Sequence, residues 1–423
     1  MKKFTNARIY RQHDEPKEIL VDKGVITQIG TDLPKADEEI DLKGRLVVPP
    51  YVDPHLHLDY VYTGGTAASK NDGGTLFDGI ARWHEVKKTQ TLEDARERAL
   101  RGIQEEVSKG VQFIRTHVDV DDPKLTGLKA LLELREELRD NVTIQIVAFP
   151  QEGMFAYKGG AEMIEEALKM GADCVGGIPH FEWAYEFGQD SVRKTVELAV
   201  KYDKLIDVHC DETDDPMSRH VQLLNALVMT EGIGTCSTAS HTCSFGSAND
   251  AYAFRMMGLF KQSGMNFIAN PTENAYLQGR QDTYPKRRGL TRVKEMWEGG
   301  INVCFGQDSI NDPWYPVGNG NMMNILDNGI HLAQTMSFDE LDRCLDLITY
   351  NGAKTLNVED QYGIEEGKPA NFIVLDAETP FEAVRQRADA LASIRNGEYL
   401  FKRPDPSYDI EVDLFRKTKQ HSD

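Results

Sequence analysis

The stretch Asp53-Pro54-His55-Leu56-His57-Leu58-Asp59 follows the apolar run Leu46-Val47-Val48-Pro49-Pro50. It constrains this chain more than any other segment. In a β-strand, residues two apart share a face, so His55 and His57 aim two imidazoles at one point from one strand end. Two neutral imidazoles side by side suit a divalent transition metal such as zinc or iron. An H-x-H pair alone is weak evidence, and the reading depends on further ligands downstream.

The rest of the chain supplies the frame for such a strand end. Residues 1 to 50 alternate short apolar runs with turn residues, and Asp22-Lys23-Gly24 reads as a hairpin turn. The tail from Tyr362 to Phe401 reads the same way. This predicts one composite β-sandwich domain from both chain ends, 1–50 and 362–423, with residues 416–423 frayed. Between them, 51–361 switches to strand then helix, repeated. Eight apolar runs fall at 46–57, 111–120, 143–151, 174–180, 205–212, 236–241, 266–271 and 302–308. Most lack polar alternation, as strands buried on both faces do. Helical segments follow at 124–138, 160–170, 189–202, 216–230, 249–263, 290–299 and 319–335, and Thr91-Leu92-Glu93-Asp94 starts another with Thr91 as N-cap. Eight β–α alternations predict an α/β fold, a closed (β/α)8 TIM barrel. An open doubly wound sheet would want a glycine-rich phosphate loop after an early strand. Neither G-x-G-x-x-G nor G-x-x-x-x-G-K-[ST] occurs.

Composition narrows the partners. A formal charge of -20 disfavours nucleic acid or an anionic membrane, because phosphate binding needs a basic surface. The six cysteines form no C-x-x-C pair and read as reduced thiols. There is no run of about 18 apolar residues and no apolar leader segment. A cytoplasmic protein is expected, a homo-oligomer acting on a small molecule.

In a barrel of this kind the active site gathers at the C-terminal ends of the strands. The first strand carries His55 and His57. The third ends in Phe149-Pro150-Gln151, the fifth in His209-Cys210-Asp211-Glu212, the sixth in Ser240-His241-Thr242 and the eighth in Gly306-Gln307-Asp308-Ser309. Of eleven histidines, four lie on these ends in places suited to one metal. His209 reads as a ligand, with a satisfied core histidine as the alternative. Asp308 reads as a metal-linked base, with a helix N-cap as the alternative. His241 suits contact with the reacting centre or a supporting layer. Glu212 lies just past a ligand strand, which suits proton transfer to substrate; the alternative is a solvated loop acid. Gln151 offers an amide that donates and accepts along a heterocycle edge. His117 and His180 also end strands and are assigned structural or supporting places.

The set Pro54-His55-Leu56-His57, Val208-His209-Cys210-Asp211-Glu212, Ser240-His241-Thr242 and Gly306-Gln307-Asp308 resembles the amidohydrolase superfamily. More narrowly, Phe149-Pro150-Gln151-Glu152-Gly153, Ile178-Pro179-His180-Phe181-Glu182, Asp282-Thr283-Tyr284-Pro285-Lys286-Arg287-Arg288-Gly289 and Asp312-Pro313-Trp314-Tyr315-Pro316 resemble the bacterial cytosine deaminases. The resemblance implies a metal-dependent aminohydrolase with one Fe2+ or Zn2+ per subunit, bound by His55, His57, His209 and Asp308. Binuclear members carry a bridging lysine at the end of the fourth strand. Here that end reads Gly176-Gly177-Ile178-Pro179-His180-Phe181-Glu182-Trp183, with no lysine until Lys194, which supports a single metal.

The implied chemistry is hydrolytic deamination. A bound divalent ion lowers the pKa of its water from about 15.7 toward ~7. Asp308 with His241 takes the proton, Glu212 protonates the neighbouring ring nitrogen, and ammonia leaves. The resemblance gives Gln151 the substrate's polar edge and packs Trp314 against the ring, although a tryptophan is as readily a core residue. The expected substrate is nucleobase-like: cytosine or a 5-substituted cytosine such as 5-methylcytosine. Creatinine, a triazine or a cyclic amide are the alternatives within this architecture, and a non-catalytic scaffold is the alternative from another class. The zinc deaminases with H-x-E…P-C-x-x-C have a different fold, and no C-x-x-C occurs here.

One departure falls on the site itself. Where the bacterial cytosine deaminases carry histidine-aspartate-aspartate at the end of the eighth strand, this chain has Gln307-Asp308-Ser309. Losing an acid at 309 is expected to remove charge and volume from the pocket wall and to admit a bulkier or differently polar ring beside Ser309. Gln307 has no reading from sequence.

Overall fold

The computed structural model describes residues 1–406; the end expected to fray, 416–423, lies outside the described residues. The chain opens with β1 (Lys2–Ile9), β2 (Gln12–Asp22), β3 (Val25–Gly30), β4 (Glu38–Asp41) and β5 (Leu46–Val48). Lys23 and Gly24, between β2 and β3, both take positive φ, 48° and 81°, as a type I′ hairpin turn requires. The barrel strands follow: β6 (Tyr51–Leu56), β7 (Val111–Asp119), β8 (Thr143–Phe149), β9 (Cys174–Gly177), β10 (Leu205–His209), β11 (Ser237–Ser240), β12 (Asn266–Ala269) and β13 (Val303–Phe305). The last three are β14 (Phe372–Leu375), β15 (Ala390–Arg395) and β16 (Glu398–Lys402).

Two sheets result. The terminal one runs β16-β15-β14-β5-β1-β2-β3, with β4 also paired to β1. It curls until Val25 of β3 bridges Pro369, just ahead of β14. Inside the curl Phe4, Ile19, Val21, Ile26, Val47, Phe372 and Ile394 form a buried core, and Phe4 meets Phe372 edge to face at 5.0 Å, the geometry aromatic pairs prefer. Both chain ends therefore build the expected sandwich.

The second sheet keeps sequence order from β6 to β13, every neighbouring pair parallel. Burial on both faces accounts for the unbroken apolar runs in the sequence. The run at 46–57 is not one strand, however. Leu46–Val48 pairs with β1 and β14 in the terminal sheet, and only Tyr51–Leu56 enters the barrel. Pro49 and Pro50 lie at the break, where the missing N–H groups end a ladder. The run at 174–180 shortens to Cys174–Gly177 because Pro179 begins a 3-10 turn. The helix after Thr91 starts where predicted, its threonine hydroxyl accepting from the Asp94 amide. Six helices among the described residues escape the sequence pattern, of which Leu76–Lys87 and Pro271–Leu277 border the site. The first buries only Gly79, Ile80 and Trp83, and the second is seven residues long. Among the described residues, no helix is long and apolar enough to cross a membrane.

The barrel closes between β13 and β6, and the closure lies at the chemistry. Leu56 and Asp308 form a lone parallel bridge. The Asp308 amide donates to the His55 carbonyl at 2.7 Å, and the His57 amide donates to the Asp308 carbonyl at 3.2 Å. Gly306 permits this approach: a β-carbon there would lie 2.8 Å from His55 Cβ and 2.6 Å from Asn270 Oδ1. Gly306→Ala is therefore expected to cost about 1–3 kcal/mol through overpacking. Urea denaturation checks the value, and metal content should fall with it.

Candidate active site

The strand ends gather a nest of buried imidazoles. His55 lies 4.1 Å from His117, 4.7 Å from His209, 4.9 Å from His241 and 5.4 Å from His57, ring centre to ring centre. Ring nitrogens of His55, His57 and His117 lie within 4.8 Å of one another, as do those of His55, His209 and His241. Asp308 Oδ1 sits 3.5 Å from His55 Nε2 and 3.4 Å from His57 Nε2. Burial and neighbouring imidazoles hold His209 well below the usual histidine range and bring His117 down to about 3. Although burial alone would raise it, the Asp308 carboxyl stays well below its usual range because His55 and His241 face it. Imidazole nitrogens around a carboxylate form the donor set a divalent transition metal takes. His55 Nε2 is buried without a hydrogen-bond partner, as a nitrogen reserved for a ligand bond would be. His117, assigned a supporting place from sequence, belongs to this nest. His180 stands outside it and contacts the His209 carbonyl through Nδ1 at 3.1 Å.

A chain of contacts under the nest fixes His55. Its Nδ1 meets Ser240 Oγ at 3.0 Å, and Ser240 donates to Asp207 Oδ1 at 2.5 Å. Arg115 donates to Asp207 Oδ2 at 3.0 Å and also reaches Thr238 and the Thr355 carbonyl. With Ser240 donating onward, His55 Nδ1 carries the proton and Nε2 is left free for a metal. His241 and Asp308 both take left-handed backbone, φ 66° and 68°, a strain of about 1–3 kcal/mol each that concentrates at functional sites.

Above the nest is a cavity with about 330 Å³ not filled by atoms, its opening included, lined by His57, Tyr60, Gln151, Glu212, Glu273 and Trp314 among others. Of the residues read from sequence, His57, Gln151, His209, Glu212, Asp308, Ser309 and Trp314 all line it; His55 and His241 pack beneath. Gln151 is aimed by Tyr60, whose hydroxyl donates to Oε1 at 2.7 Å, so the amide NH2 is left for a ligand. Trp314 is both wall and core: it stacks on Tyr60 at 5.0 Å and its indole N–H donates to the Leu76 carbonyl. Gly79 makes room for it, since a β-carbon there would fall 2.3 Å from the indole nitrogen. Burial and the charge of Asp308 push Glu212 well above the usual carboxylate range.

The pocket wall near Ser309 differs from the sequence expectation. It does not lack carboxyls: Glu273 and Asp312 line the same cavity as Ser309. Gln307, unread from sequence, donates through its side-chain amide to the Ser309 carbonyl at 3.0 Å and so braces the turn. Sequence reasoning also passed over Asn270 and Asn274. Asn270 donates to Asp308 Oδ2 at 3.1 Å, and Asn274 Nδ2 lies 2.9 Å from His241 Nδ1. Both follow β12, where the strand-end rule would have found them.

Three comparisons bear on this geometry. Residues 38–401 match the Amidohydrolase family. The fold superposes with a TM-score of 0.94 on 5-methylcytosine deaminase from Klebsiella pneumoniae liganded with 5-fluorocytosine, at 48% identity over 96% of this chain and 99% of that one. The N-isopropylammelide isopropyl amidohydrolase of Pseudomonas sp. (strain ADP) is 31% identical over 373 residues, 86% of this chain and 88% of its own.

Ser240→Ala should leave the barrel folded yet weaken metal retention about 10–100-fold, since His55 loses the group that sets its tautomer. Competition with a coloured chelator measures this directly.

Proposed function

This chain belongs to the amidohydrolase family, and we propose that within it the protein hydrolytically removes the exocyclic amine of a single-ring heterocycle, cytosine or a 5-substituted cytosine such as 5-methylcytosine. The observation that carries the reading is the convergence of Gln151, Glu212, Asp308 and Trp314 on one cavity above the imidazole nest. The 48% identity to a 5-methylcytosine deaminase supports the same substrate class. Residues 51–361 would be the catalytic unit, and 1–50 with 362–423 its β-sandwich companion.

His55, His57, His209 and Asp308 would hold one divalent ion, iron or zinc, which when bound brings the pKa of a water toward ~7. The chain's own groups supply the rest. Asp308, with His241 beside it, takes the proton of the attacking water. Glu212 gives a proton to the ring nitrogen next to the amine-bearing carbon, which weakens the ring's aromatic stabilisation there. Gln151 anchors the opposite edge and Trp314 covers the ring. Water's oxygen replaces the amine, which leaves as ammonia.

A second reading is favoured by the 31% identity to an N-isopropylammelide amidohydrolase: loss of an amine from a triazine. Ammonia and alkylamine release from cytosine, 5-methylcytosine, creatinine and N-isopropylammelide, with iron- and zinc-loaded protein, separates the two. Cytosines should be turned over fastest, and a clear preference for the triazine would reverse the assignment. Ser309→Asp should shift preference from 5-methylcytosine toward cytosine; a profile unchanged by this substitution would remove Ser309 from the specificity wall.

The proton on Glu212 fixes a pH dependence. The acid works in its protonated form, and its pKa is raised, so kcat/KM should hold at neutral pH and fall as pH climbs through that raised value. Glu212→Gln should lower kcat about 10²–10⁴-fold and remove the alkaline fall. Stopped-time assays across pH check both.

A further inference from the structure

The mechanism leaves two carboxyls of the cavity unused: Asp312, whose Oδ1 accepts from the Trp314 and Tyr315 amides and so holds the turn, and Glu273. Glu273, on the helix Pro271–Leu277, is 2% exposed, lines the cavity, and has an Oε2 without a hydrogen-bond partner. Leaving a buried carboxyl oxygen unpaired is costly, so its retention in a ligand cavity calls for a ligand donor.

The order of strands around the mouth says which donor. The sheet runs β8, β10, β11, β12, β13 with β9 between the first two. Its loops present, in that order, Gln151, Glu212, His241, Glu273 and Ser309. An aminopyrimidine has the same circuit: the ring carbonyl edge, the ring nitrogen, the amine-bearing carbon with its amine, then the 5-position. If Gln151 meets the carbonyl edge and Glu212 the nitrogen, the exocyclic amine is directed toward the β12 loop and the 5-position toward Ser309.

We propose that Glu273 is a specificity residue for the reaction, accepting at Oε2 a hydrogen bond from the exocyclic amine of the substrate while Ser309 faces the neighbouring ring position. The assignment rests on the deaminase reading above. The contact exists with the amine-bearing ring and has no counterpart in the ring-carbonyl product, because the product's oxygen offers no N–H there.

Steady-state kinetics of the metal-loaded enzyme test this with cytosine as substrate and uracil as competitive inhibitor. Glu273→Val should raise KM for cytosine about 10–100-fold and leave the uracil inhibition constant within about threefold. Glu273→Gln keeps an amide oxygen in place and should recover most of the cytosine KM. Retained inhibition by uracil also reports an intact pocket. Equal weakening of both ligands, or no change in either, overturns the assignment while the deaminase reading stands. A wild-type enzyme that releases ammonia from no aminopyrimidine overturns the deaminase reading, and this assignment with it.

Discussion

The barrel is joined by the backbone of the residues that face its centre. β13 and β6 are the two ends of the parallel sheet, and the bridge between them consists of Leu56 with Asp308 and the paired amides and carbonyls of His55, His57 and Asp308. Closing the cylinder and assembling the donor set are therefore one event. A strand register wrong by one residue at this join would turn both histidines away from the mouth. Gly306 makes the join possible by bringing the eighth strand against His55 without a side chain between them.

The join sits in a setting that opposes it electrostatically. Several imidazoles and carboxyls share a buried space in which every charge is costly. The chain answers by burying His117, His209 and His241, which pushes them below the usual histidine range, and by placing compensating charge below. Asp207 stays ionised, despite burial, because His117 and Arg115 flank it, and Ser240 carries that order upward to His55. Around the rim the opposite holds: Glu212 and Glu273 are pushed up by burial and by Asp308. One carboxyl is shifted down at the donor set while its neighbours are shifted up. In the proposed deamination that division would separate the base from the acid in one pocket.

Much of this was legible in the linear chain, and the limits have physical causes. Unbroken apolar runs ending in His, Asp or Gln marked both the barrel and its active face, because parallel strands are buried on both sides and only their ends meet ligand. What the pattern hides is where a run breaks: Val48 and Tyr51 belong to different sheets, and only the two prolines between them hint at it. Short helices were missed because Leu76–Lys87 buries three residues of twelve. Asn270, Glu273 and Asn274 were passed over because amides and a glutamate after β12 do not look like metal ligands, although they occupy the same strand-end station. Tyr60 was invisible in principle, since its bond to Gln151 joins residues 91 apart.

The terminal sheet carries a consequence for how the molecule is made. β5 finds its partners on β1, nearby in sequence, and on β14, where Val47 and Val48 pair with Val374 and Ile373. More than three hundred residues of barrel must leave the ribosome between those two halves. The first five strands thus emerge with an open edge on β5, and that edge is closed only once β14 has followed the barrel out. Domains commonly fold in the order they are synthesised; here the sheet begun first is completed after the barrel that separates its two halves.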